Sequence, residues 1–280
     1  MRLNGSQPPW DKTLKPAKFQ PDGLLLIGHG TREAAGVAEF LETARQVAGS
    51  LPHILVEPGF LELAEPDIAT AFQSLVEQGA RRVVAMPLLL LAAGHAKQDI
   101  PAAVEQVASR HPTATVCLAE HLGCHQAIVE LSFLRFNEAL AGPPHISGGP
   151  GIGQPTTLVL VGRGSNDPEA TAEMHAFARR RIERAPVDRL EVCFAAMAEP
   201  SLECVLSGFG DADGSPVVIQ PHLLFAGRLL DSIHQQALLW GERYPGRQVL
   251  LARQLGPHAL LVQAIVDRFA ESYKSAGFAT

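Results

Sequence analysis

Three residues carry the strongest chemical signal in the chain: His29, Glu62 and His95. They are evenly spaced, with 33 residues from the first to the second and 33 from the second to the third. Each follows a short apolar run: Leu24–Ile27 ahead of His29, Ile54–Val56 ahead of Glu62, and Arg82–Met86 ahead of His95. Two imidazoles and a carboxylate form a donor set for a divalent transition ion, with coordination positions left open for a substrate. Gly28, Gly30 and Gly94 beside the histidines permit tight turns and close approach of a ligand. Singly, a histidine or glutamate at such a place is ordinary surface chemistry. Recurrence after three successive apolar runs is what points to a site.

The elements that must position these residues are written twice. Ile27-Gly-His-Gly-Thr31 corresponds to Val161-Gly-Arg-Gly-Ser165, and Phe60 to Pro66 corresponds to Phe194 to Pro200, both at an offset of 134. Pro87-Leu88-Leu89 and Pro221-His222-Leu223 share that offset. Ala93-Gly94-His95 matches Ala226-Gly227-Arg228, and Leu122-Gly-Cys-His125 matches Leu255-Gly-Pro-His258, at 133. Five anchors in one order imply a duplicated unit. The expected organisation is a polar tail over 1–22, a first domain over 23–141, a Gly/Pro linker over 142–155 and a second domain over 156–273.

Within each copy, short strand-like runs alternate with helical periodicity; Val37, Phe40, Leu41, Ala44 and Val47 share one helix face. A fourth strand is expected over Ala114–Leu118. The fold class is therefore α/β: two homologous domains, each a short parallel sheet flanked by helices. Ligands of such sheets collect beyond the carboxyl ends of the strands, where the three residues fall.

The second copy keeps the glycines, prolines and apolar strands. It replaces His29, Glu62 and His95 with Arg163, Ala196 and Arg228, none suited to a metal. A duplicated site that kept one metal centre explains this pattern. Glu65 and Glu199 persist ahead of Pro66 and Pro200 in both copies and are read as structural groups near a helix start. His125 and His258 occupy matching positions and, with His121, are assigned to a copied turn. Asp99 either orients His95 or caps a helix. Cys117 and Cys193 lie in apolar runs and read as buried thiols.

The segments Leu26–Arg32, Gly59–Pro66 and Pro87–Pro101 resemble the signature segments of the class II chelatases. These include the sirohydrochlorin cobalt- and ferrochelatases and, more distantly, the protoporphyrin ferrochelatases. The resemblance covers residues 23–141 and extends to 156–272 through the repeat. It implies a long, internally duplicated chelatase with a metal site at His29, Glu62 and His95. The implied reaction inserts Co²⁺, with Fe²⁺ next, into sirohydrochlorin during cobalamin or sirohaem biosynthesis. A nickel-specific chelatase and a non-catalytic metal or tetrapyrrole carrier are the alternatives.

Insertion requires that the ion lose water and that two pyrrole N–H protons leave. His29 and His95 would hold the ion, and Glu62 would complete the site or take protons. The carboxylate-rich ring needs cationic partners, for which Arg32, Lys97, Arg163 and Arg228 are the candidates. No cofactor beyond the substrate ion is expected.

Other classes fit poorly. A net charge of −6 argues against a nucleic-acid partner. Gly28-His-Gly30 lacks the third glycine of a dinucleotide fingerprint, which would fall at Glu33. The longest apolar stretch, Val83–Ala93, is about half the length of a membrane span. The N-terminal residues have no apolar core of a secretory signal, so a cytoplasmic location is expected. A monomer is expected, its two copies forming both halves of one cleft.

Overall fold

The computed structural model describes residues 22–91, 96–142, 156–209 and 215–278. The first copy runs β1 (Asp22–Gly28), α1 (Ala34–Ser50), β2 (Ile54–Phe60), α2 (Ile68–Glu77), β3 (Arg82–Pro87), α3 (Ala96–Arg110), β4 (Thr115–Leu118) and α4 (Gln126–Ala141). The second runs β5 (Thr157–Gly162), α5 (Pro168–Arg184), β6 (Arg189–Phe194), α6 (Leu202–Ser207), β7 (Val217–Pro221), α7 (Arg228–Arg243), β8 (Val249–Leu251) and α8 (Ala259–Ser275). Each copy forms one parallel sheet, in the orders β2-β1-β3-β4 and β6-β5-β7-β8. The expected tail overshoots by one residue, because Asp22 already pairs with Ile54 in β1. Of the expected linker, 143–155 lie outside the described residues.

Strand alternation divides the core. Leu24 and Leu26 face α1, while Leu25 and Ile27 face α2 and α3. In the second sheet Leu160 meets Met174 and Phe177 of α5, and Val159 and Val161 meet α6 and α7. The central strands are fully buried from Leu24 to Ile27 and from Leu158 to Val161, as parallel strands covered on both faces must be.

The last helix of each copy does not cover its own sheet. Helix α4 packs on β7 and β8, and α8 packs on β3 and β4 and against α1. Polar contacts fix the exchange. The Gln220 amide in β7 donates to the Ser132 carbonyl (2.7 Å) and hydroxyl (2.9 Å) of α4. Arg82 in β3 donates to both Asp22 carboxylate oxygens, at 2.6 and 2.7 Å, and to the Phe278 carbonyl at 2.7 Å. The Tyr273 hydroxyl of α8 donates to the same Asp22. The sequence repeats and the packed halves are therefore different partitions of the chain. One continuous apolar core joins residues of both, from Leu24 and Phe40 to Phe177 and Phe269.

Candidate active site

The turn after β1 and the turn after β2 are laced together by backbone. Leu61 N–H donates to the Gly28 carbonyl (2.9 Å), and Glu62 N–H donates to the His29 carbonyl (3.0 Å). Gly30 has φ +98°, and a Cβ there would stand 1.7 Å from the Glu62 carbonyl oxygen. Only glycine fits. This close approach sets the His29 imidazole beside the Glu62 carboxylate, with Nδ1 to Oε1 at 3.4 Å. His29 is 19% exposed and Glu62 49%, so the imidazole is sheltered while the carboxylate meets water.

The second copy repeats the frame. Ala195 N–H donates to the Gly162 carbonyl (2.9 Å), and Ala196 N–H donates to the Arg163 carbonyl (3.0 Å). Gly164 has φ +88°, and its Cβ would stand 1.7 Å from the Ala196 carbonyl oxygen. Leu63 and Met197 follow with φ of 64° and 56°. The backbone is the same; the side chains it presents are an imidazole and a carboxylate in one copy, a guanidinium and a methyl group in the other.

The two frames face each other across a cleft of about 520 Å³, lined by His29, Arg32, Glu62, Arg163 and Arg228. His29 and Arg163 also line an adjoining cavity of about 240 Å³, walled by Leu88–Leu91, Phe194, Met197 and His222. A metal-type donor pair thus opens onto a space with apolar walls and cations opposite. Among the described residues no third His, Cys, Asp or Glu joins His29 and Glu62 as a donor cluster. His95 lies outside the described residues, between Leu91 and the start of α3.

The candidate cations differ in their state. Arg32 and Arg163 line the cleft without an ion pair among the described residues. Arg228 lines it while its Nε donates to Glu33 at 2.9 Å. Lys97, expected to meet the ring, is not part of this cleft lining. Its ammonium bridges the two halves to Glu169 (2.7 Å) and Asp167 (3.0 Å), and hydrogen bonds to these two carboxylates hold its pKa above the usual lysine value. Two acidic residues at the start of α5 have claimed this cation.

The remaining readings sort by backbone role. Glu65 and Glu199 each accept from an N–H two residues ahead, Asp67 at 3.1 Å and Ser201 at 2.8 Å, just before α2 and α6. His125 and His258 cap α4 and α8, accepting from Ala127 N–H (3.2 Å) and Leu260 N–H (3.1 Å). His121 is not part of that cap; it pairs with Glu173 of α5 across the two halves. Asp99 lies in the first turn of α3, where an acidic residue suits the helix dipole. Cys193 is buried, its thiol pushed up to about 12 by desolvation, whereas Cys117 is only half-buried.

One cavity residue was not singled out from the sequence. His222 is buried, stacks on Phe177 with ring centroids 4.0 Å apart, and has neither ring nitrogen hydrogen-bonded. Burial pushes its pKa down to about 3, so the ring is neutral. Its signal was the exchange of Leu88 for His222 at matched positions of the repeat.

Known proteins resemble this chain over both copies. The CbiX family profile matches residues 23–139 and again 157–272. A sirohydrochlorin ferrochelatase of Bacillus subtilis (strain 168) is 32% identical over 252 residues, covering 89% of this chain and 91% of its own. A sirohydrochlorin cobaltochelatase of Priestia megaterium is 27% identical over 252 residues, covering 89% and 79%. The solved structure of SirB from Bacillus subtilis with Fe³⁺ superposes with a TM-score of 0.80 at 30% identity, covering 92% of this chain and 98% of that one. With its profile matched once in each of the two copies, the chain belongs to the CbiX family.

Proposed function

We propose that this protein is a sirohydrochlorin metal chelatase, in which the first copy presents the ion and the ring lies between the copies, with Arg163 of the second copy meeting its carboxylates. The observation that carries this reading is the pairing of two identical backbone frames across one cleft. One bears His29 and Glu62 in contact, the other Arg163. Relatives of similar length are sirohydrochlorin ferrochelatases and cobaltochelatases, which supports the same reaction here.

The residues divide the work as follows. The His29 imidazole offers a lone pair to a divalent ion that has lost water, and Glu62 at 3.4 Å adds an anionic oxygen. His95 is the third proposed ligand. As the ion enters the macrocycle, two pyrrole N–H bonds break and two protons leave, so charge balances. Glu62 is exposed enough to accept a proton and release it to water. Arg163 and Arg32 meet the ring's carboxylates, and the apolar wall of Leu88–Leu91 and Phe194 receives its face.

Imidazole and carboxylate donors bind several ions of this series, and cobalt is placed ahead of iron on the likeness to the long, duplicated chelatases. Both halves of the cleft belong to one chain, which supports a monomer. Among the described residues no helix is long and apolar enough to cross a membrane, in keeping with action in the cytoplasm. The test is anaerobic visible spectroscopy of sirohydrochlorin with Co²⁺, Fe²⁺ or Ni²⁺, with and without enzyme. Multiple turnovers, fastest with Co²⁺ and lost in Glu62→Ala, are expected. A spectral change limited to one equivalent would identify a carrier, and turnover with Ni²⁺ alone a nickel enzyme.

A further inference from the structure

Glu33 and Asp167 occupy equivalent places, immediately before α1 and α5, but their carboxylates do different things. An aspartate at this position ordinarily accepts from the first free N–H groups of its helix, whereas a glutamate, one methylene longer, is free to reach elsewhere. Asp167 does so, accepting from Glu169 N–H at 3.0 Å. Glu33 makes no such bond. It reaches across the cleft and takes the Arg228 Nε at 2.9 Å. Both residues line the cleft that also holds His29 and Glu62, and Arg228 is 84% exposed there.

We infer that Glu33 is an internal competitor for Arg228, occupying in the free protein the guanidinium that takes a ring carboxylate in the complex. The inference rests on the chelatase reading above and assigns to Glu33 control of how tightly the ring is held. The pair joins the first half to the second within the cleft lining, so a ring carboxylate that takes the Arg228 Nε must part it. Its exposure makes parting easy: pairs of this kind are worth a factor of about five or less in an equilibrium constant. A ring carboxylate that brings the same geometry competes on equal terms, and the affinity seen is what remains after Glu33 is displaced. Elsewhere between the halves, Lys97 with Asp167 and Glu169 forms a second cross-half clasp. There the cation faces two carboxylates and is held more firmly.

The test is the dissociation constant of metal-free sirohydrochlorin for the wild-type chain, Glu33→Gln, Arg228→Ala and the double variant, at low and high salt. Glu33→Gln is expected to bind about three- to fivefold more tightly at low salt, with the gain shrinking as salt rises. The gain should be absent when the double variant is compared with Arg228→Ala alone. Thermal unfolding of Glu33→Gln, which removes no cap, should match wild type and so exclude a folding effect. Unchanged or weaker binding by Glu33→Gln, or a gain that persists without Arg228, overturns the inference while wild-type binding leaves the chelatase reading standing. Absence of sirohydrochlorin binding by the wild-type chain overturns both.

Discussion

The turns after β1 and β2 and the turns after β5 and β6 are superimposable in their hydrogen bonds, their left-handed glycines and their left-handed Leu63 and Met197. They differ in what that backbone displays. Where the first copy shows His29 and Glu62 in contact, the second shows Arg163 and Ala196. The frame is a fold requirement and persists; the side chains are chemistry and are free to diverge. The two-fold arrangement sets His29 and Glu62 of one frame and Arg163 of the other on a single cleft.

The sharpest way to break the comparison is at its shared glycines. Gly30→Ala and Gly164→Ala each force a Cβ to 1.7 Å from a carbonyl oxygen at positive φ. Each is expected to lose about 3 kcal/mol or more of stability by denaturant unfolding. Unequal losses would show that the two frames are not equivalent. A smaller effect distinguishes the buried histidine. His222 has a folded pKa near 3, against an ordinary value of 6.5. Its neutral form favours the fold above pH 6.5, and that contribution is lost as pH falls from 6.5 towards 3. His125 and His258 are shifted down by burial in the same direction. His222→Leu, which installs the first copy's residue, should therefore flatten the acid loss of stability by up to about one proton in the linkage slope. A slope unchanged in Tm measurements from pH 7 to pH 4 would contradict this. The smallest effect is at Lys97. Lys97 is partly exposed and its partner Glu169 is 84% exposed, so Lys97→Met should lower Tm by only about 1–2 °C, and less in high salt. A large drop would mean that the halves depend on this clasp for their association.

Much of this was legible beforehand because it rests on short-range pattern. The apolar runs marked the strands, and their repetition at one offset marked the two sheets. Both caps at His125 and His258 were visible as a residue kept in a copied turn. The exchange of α4 and α8 was not legible, since an apolar helix stripe records that it is buried but not against which sheet. Lys97 shows the same limit for charge. Its nearness in sequence to His95 suggested a role at the cleft, whereas its ion-pair partners, Asp167 and Glu169, lie in the other copy and none of the three lines the cleft. Glu33 was noticed only as the residue that breaks a dinucleotide fingerprint, and its bond to Arg228 spans 195 positions.

The central claim is the division of labour between His29 and Arg163. Its most direct test is steady-state Co²⁺ insertion into sirohydrochlorin by His29→Ala and Arg163→Ala, alongside the affinity of each for the metal-free ring. His29→Ala is expected to lose at least about a hundredfold in turnover while binding the ring nearly as wild type. Arg163→Ala is expected to bind the ring about tenfold more weakly, the worth of one charge-assisted carboxylate contact. Equal losses of turnover and of ring affinity in both variants would contradict a metal side and a ring side.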